Sequence, residues 1–156
     1  MKLPKPGKPH AELDRLSGEW DGEETWHPGP LAPEGAQAKG AFEFKKEVDG
    51  FYLLADYDEK IEGKPGIRGH GVLGWDPKRE SYTLHWFDNF GNPPAEPSRG
   101  DWQGDRLVLE NGTGDHRGRT IFELAGEDAM KFGIEMSEDG GKSWNATLDG
   151  QYHRRH

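Results

Sequence analysis

The chain has 156 residues and a formal net charge of −9, with 20 Lys and Arg set against 29 Asp and Glu. That length suits one domain, and the charge has the wrong sign for the basic face that a nucleic-acid backbone requires. Cysteine is absent, which excludes disulfides, thiolate metal ligation and a cysteine nucleophile.

Only 31% of residues are apolar, yet six Trp, seven Phe and four Tyr are present. A few large rings can fill the core of a small β-rich domain, because each removes a large area from water. Residues 1–9 form a Pro-rich lead-in that cannot pair in a sheet, and 10–156 read as one domain. The opening MKLPKPGKPH carries no apolar segment of a secretory signal. No window approaches the roughly 18 apolar residues of a membrane span. These features predict a cytoplasmic protein with neither a membrane nor a nucleic-acid partner.

HAELDRLSG reads as one or two helical turns with Ala11, Leu13 and Leu16 on one face and Gly18 as a stop. Beyond it the pattern changes to period two, the signature of strands with one wet and one dry face. Trp20, Gly22, Glu24 and Trp26 share one parity. Phe42, Phe44 and Val48 share the next, followed by Leu53, Ala55 and Tyr57. Ile67, Gly69, Gly71, Leu73 and Trp75 oppose Arg68, His70 and Val72. Tyr82, Leu84, Trp86 and Asp88 follow, then Leu107 and Leu109, then Ile121, then Phe132, Ile134 and Met136. The last run places Trp144, Ala146, Leu148, Gly150 and Tyr152 on the dry face. Turn sequences such as VDG, EGKPG, DPKRE, QGD, AGED and EDGG separate the runs. Nine or ten strands at hairpin spacing, with no helix-length crossover, specify an antiparallel meander. Hiding its edges requires closure. The prediction is an all-β fold: a single closed, up-and-down barrel of about ten strands, capped by the helical turn.

Closure gives the first indole a role. Trp20 plugs one end beneath Leu13 and Leu16, Gly18 permits the tight approach, and Arg154 or Arg155 from the last strand lies across the ring as a cation–π contact. This arrangement resembles the calycin, or lipocalin-like, barrels. The blocks LDRLSGEWDGEETWHPGP, DGFYLLADY, RGHGVLGWDPKRESYTLHWFDNFG and KFGIEMSEDGGKSW resemble the bacterial domain-of-unknown-function 1579 family across nearly the whole chain. The resemblance implies a lipocalin-like barrel and little about activity. The nitrobindin-type haem barrels are more distantly similar through the same Gly-x-Trp opening.

If Trp75 pairs with Tyr82, then Gly71 faces Trp86 and Gly69 faces Asp88. The two glycines then either clear a pocket floor or relieve barrel curvature. The expected ligand-binding set is Trp26, Phe44, Tyr57, Gly69, Gly71, Trp86, Asp88, Phe132 and Trp144, around a flat, mostly apolar small molecule. Glu24, Tyr57 and Asp88 orient its polar end. The inward polar groups are Glu24, Tyr57, Asp88 and Tyr152, read as either desolvated inside the barrel or solvated at its mouth. Asp88 and Glu24 are also the candidate catalytic residues of an alternative reading, a cofactor-independent acid–base enzyme of cyclase, isomerase or lyase type. A filled barrel acting as a homodimer scaffold is a third.

No metal site is expected. His70 and His85 share the outer phase without a third ligand. No cofactor is expected either: the nitrobindin-type barrels ligate haem through a His near the C-terminus, and the nearest candidate here, His153, has outward parity.

Overall fold

The computed structural model describes residues 1–156. A short helix, α1 (Lys8–Leu13), runs into a 3-10 turn (Asp14–Leu16), and ten strands follow: β1 (Gly18–Trp26), β2 (Ala36–Glu47), β3 (Tyr52–Ile61), β4 (Lys64–Asp76), β5 (Ser81–Asp88), β6 (Ser98–Gln103), β7 (Arg106–Thr113), β8 (His116–Leu124), β9 (Ala129–Ser137) and β10 (Asn145–Arg154). Each strand pairs antiparallel with its sequence neighbour, and β10 returns to β1, so the sheet closes into a barrel. The helix begins at Lys8, two residues before the expected domain boundary, with Pro9 in the first turn where its missing N–H costs nothing.

The register follows the alternation. Trp75 pairs with Tyr82, Gly71 with Trp86 and Gly69 with Asp88. The closed end is built as the first indole suggested. Trp20 is fully buried, its Nε1 donates to the Leu16 carbonyl at 2.9 Å, and the Arg154 guanidinium lies 4.2 Å above its ring. That guanidinium also donates to the carbonyls of Ser17, Arg15 and Glu127. Gly18 sits at φ +124°, where a Cβ would come within 2.8 Å of Arg154 Nη1. The contact therefore needs glycine both for its backbone and for its space.

Four placements depart from the pattern. Ala11 is exposed, because the six-residue helix is too short to bury more than Leu13. Val48 leaves the alternation for a 3-10 turn (Val48–Gly50), at φ +52° and 63% exposed. Phe122, not Ile121, carries the inward phase of β8, since it pairs with Leu107 and Phe132. Trp144 precedes β10, and a bulge between Ala146 and Leu148 inverts the parity behind it. Its ring lies half-buried outside the barrel, with the Arg119 guanidinium 4.2 Å above it.

Candidate functional site

The barrel interior divides into a filled half and a hollow half. The filled half lies next to α1, where Leu16, Leu53, Leu73, Leu107 and Leu109 are at most 1% exposed. Phe44 belongs there. It stacks 5.2 Å from Phe42 but one inward layer deeper, about 6.5 Å along the strand, and so lies below the cavity floor.

The hollow half holds a cavity of 310 Å³. Its apolar wall includes Trp26, Phe42, Tyr57, Trp86, Phe122 and Phe132. Polar groups are confined to Asp88, Ser98, Asn111, Thr120 and Thr147. Leu31 and Phe90 form part of the lining although they are 61% and 54% exposed, which places them at the mouth. Gly69 and Gly71 do not themselves line the cavity. They make room for a wall: a Cβ on Gly69 would overlap the Trp86 ring, and one on Gly71 would approach it to 3.0 Å. Trp86 thus lies flat across β4, with its Nε1 donating to Asp88 Oδ2 at 3.1 Å.

Behind the Tyr57 and Trp26 rings lies a buried acid cluster. Glu24 and Glu59 are each 1% exposed. The Tyr57 hydroxyl sits between them, 2.8 Å from Glu24 Oε1 and 3.1 Å from Glu59 Oε2. Tyr152 donates to Glu24 Oε2 at 2.6 Å. Glu59 accepts from Trp26 Nε1 at 2.8 Å and from the Ile67 amide at 3.2 Å. Missing side chains create this space. A Cβ on Gly22 or Gly40 would overlap Tyr152, and one on Gly66 would come within 2.7 Å of Glu59.

Donor counting fixes the protonation. The Tyr57 hydroxyl has one proton and contacts both carboxylates, so satisfying both contacts needs one further proton on a carboxylate. Glu24 is the holder. Burial pushes its pKa up to about 7, against the lowering effect of the Tyr152 and Tyr57 hydroxyls and with a further upward push from the charge of Glu59. Below about pH 7, with Glu24 protonated, the geometry allows a continuous chain: Tyr152 donates to Glu24, Glu24 to Tyr57, and Tyr57 to Glu59. Burial, followed by the Glu24 charge, raises the pKa of both tyrosines, keeping them neutral donors.

Of the residues singled out in the sequence, Trp26, Tyr57, Trp86, Asp88 and Phe132 line one cavity, whereas Phe44 and Trp144 do not. Glu24 is desolvated, not at the mouth. Its carboxylate partner is Glu59, and Asp88 reaches only Trp86 and the Phe90 amide. Glu59 was not singled out. Extending the parity of Leu53, Ala55 and Tyr57 by one step reaches it, but in the acidic stretch YDEK it reads as the wet end of a strand. The polar side of the cavity at Ser98, Asn111 and Thr120 carried no signal. His70 is held by Asp56 at 2.7 Å on the outer face, and His85 is exposed. His153 is exposed opposite Asp21 and Ala129, and no histidine lines the cavity. The cavity therefore offers a haem iron no imidazole ligand.

A family model described as protein of unknown function (DUF1579) matches residues 5–154. No curated protein matches the chain. Among solved structures, Rv2717c from M. tuberculosis is similar, with a TM-score of 0.71 at 18% identity over 96% of this chain and 99% of that one. The S-type phycobiliprotein lyase CPES from Guillardia theta gives 0.65 at 12% identity, covering 97% and 99%. EF1p2_mFAP2b, solved bound to DFHBI, gives 0.50 at 13% identity, covering 95% and 100%. At these identities the likeness is one of fold.

Proposed function

The chain belongs to the DUF1579 family, and we propose that its barrel binds a small, flat, mostly apolar molecule in the hollow half. The observation that carries this reading is the 310 Å³ cavity, walled by aromatic rings at one end of a barrel whose other end is filled. A volume near the lower end of the range for small-molecule sites, about 300–1,000 Å³, suits a ligand of two or three aromatic rings. Trp86, Phe132, Phe42 and the Tyr57 ring clamp its faces, and Asp88, Ser98 and Asn111 orient its polar end. A barrel of similar fold, solved bound to DFHBI, supports small-molecule binding by such a barrel.

Acid–base catalysis has less support. Glu24 does not reach the cavity, because the Tyr57 side chain stands between them. Asp88 is half-exposed and already accepts from Trp86 and Phe90.

The test uses N-phenyl-1-naphthylamine, whose fluorescence rises on leaving water. The protein enhances its emission saturably. Ile134→Trp, which fills the cavity from β9, abolishes the enhancement while the far-UV spectrum and the unfolding transition stay cooperative. An absent enhancement, or one that Ile134→Trp leaves unchanged, overturns the reading.

A further inference from the structure

The barrel wall is incomplete on one side. β5 pairs with β4 as far as Asp88, but with β6 only at Tyr82, Thr83 and Leu84. β7 pairs with β8 as far as Thr113, but with β6 only as far as Glu110. Beyond Leu84 and Glu110, the facing edges of β5 and β7 have no strand between them. Residues 89–97 cross the gap, and three of them are proline, at positions 93, 94 and 97. Proline has no N–H to donate, so this segment cannot complete the ladder as a strand would.

A groove of 770 Å³ lies along this gap. It shares Leu84, Trp86, Asp88, Phe90, Ser98 and Asn111 with the cavity, so the two spaces adjoin across the wall. The groove is more polar than the cavity, and its charges are not balanced. Arg99 is its only cation and is held by Asp76 at 3.1 Å. Glu110 is flanked in register by Arg99 and Arg119, and Arg119 is itself held by Glu135 at 2.5 Å. Asp88 and Glu96 form no ion pair. Asp88 also stands beside the Trp86 indole, half-withdrawn from water, where its attraction for a cation is less screened than in bulk solvent.

Resting on the cavity-binding reading above, we propose that cavity and groove form one two-part site for an amphiphilic amine. A ring occupies the cavity, and a short chain leaves through the gap between β5 and β7, bringing a protonated amine to Asp88 and Glu96. An anionic tail meets two unpaired carboxylates and a spent arginine there, and is disfavoured.

Three probes with one ring system test this by calorimetric titration at pH 7: 2-(1-naphthyl)ethylamine, neutral 1-ethylnaphthalene and anionic 1-naphthylacetate. The amine binds roughly tenfold tighter than the neutral probe, and the anion binds weakest. Glu96→Gln weakens the amine about 2–5-fold and leaves 1-ethylnaphthalene unchanged, and Asp88→Asn weakens the amine by more than it weakens 1-ethylnaphthalene. Raising the salt to 0.5 M narrows the gap between amine and neutral probe. Glu96 lies on the exposed segment, so its variant reads the effect even if Asp88→Asn disturbs the turn that Asp88 holds. If 1-ethylnaphthalene binds but the amine binds no tighter, or both variants weaken the two probes equally, the two-part site is overturned and the cavity stands. Preferred binding of the anion overturns it in the same way. If no probe binds, cavity and two-part site fall together.

Discussion

Glu24 is the residue whose chemistry the fold changes most. Its carboxyl titrates near 4.5 in an unfolded chain and near 7 in the barrel. Between these values the folded state holds a proton that the unfolded state has released, so folding stability falls as pH rises through that window. The contribution is fully present below about pH 4.5 and lost above about pH 7, with an upper size of ~3 kcal/mol at 1.36 kcal/mol per unit. Glu24→Gln keeps a neutral hydrogen-bonding group and flattens this dependence, so urea midpoints at pH 5 and pH 8 converge relative to the parent. A parent protein whose stability rises between pH 5 and pH 7.5, with the variant tracking it, would contradict the assignment of the extra proton. Tyr57→Phe removes the only hydroxyl that reaches both carboxylates. It costs about 1–3 kcal/mol, whereas Tyr52→Phe, at an exposed position, changes stability little. At this scale the sequence exposed all of the cluster but one member. Glu24, Tyr57 and Tyr152 were visible through parity with large rings. Glu59 was hidden, because a glutamate in an acidic stretch looks the same whether water or a tyrosine satisfies it.

The elements add constraints that alternation alone does not contain. β10 reads as one uninterrupted period-two run, and the bulge at Ala146–Leu148 breaks it. A bulge is a matter of how two strands share their ladder and leaves almost no mark on one strand's residues, so Trp144 seemed inward and is not. By contrast, the contact between β10 and β1 was legible, since Gly18, Trp20 and a terminal arginine are all needed to build it. Arg154→Ala loses a cation–π contact and leaves the Ser17, Arg15 and Glu127 carbonyls without their donor. It lowers stability by about 2–4 kcal/mol. Arg154→Lys recovers only part, because an ammonium cannot fork across three acceptors. The turn after β2 shows the opposite case. Val48 is exposed at φ +52°, a conformation costing a β-branched residue about 1–2 kcal/mol. Val48→Gly therefore raises the thermal midpoint by a few degrees in calorimetry.

For the molecule as a whole, closure is uneven. Seven residue pairs join β1 to β10, whereas three join β5 to β6. Hydrogen exchange reports this difference directly. Amides at the β1–β10 junction exchange near the global unfolding rate, and those of His85–Asp88 that face the gap exchange much faster. Equal protection across the two junctions would show the wall to be continuous. The same unevenness separates the two halves of the interior, one packed solid against α1 and the other left open beside the weak seam.

Periodic burial along each strand was determined by the sequence by itself, as were the antiparallel order, the closure that hides the edges and the indole plug. All of these follow from local alternation, turn residues and the need to bury large rings. Only the tertiary structure decided which inward layer each ring occupies, that two acids share one buried tyrosine, and that the wall opens between β5 and β7. Those features depend on depth along the barrel axis and on contacts between strands far apart in the chain. A two-residue period records which face a side chain takes, but not how deep it lies or what stands opposite.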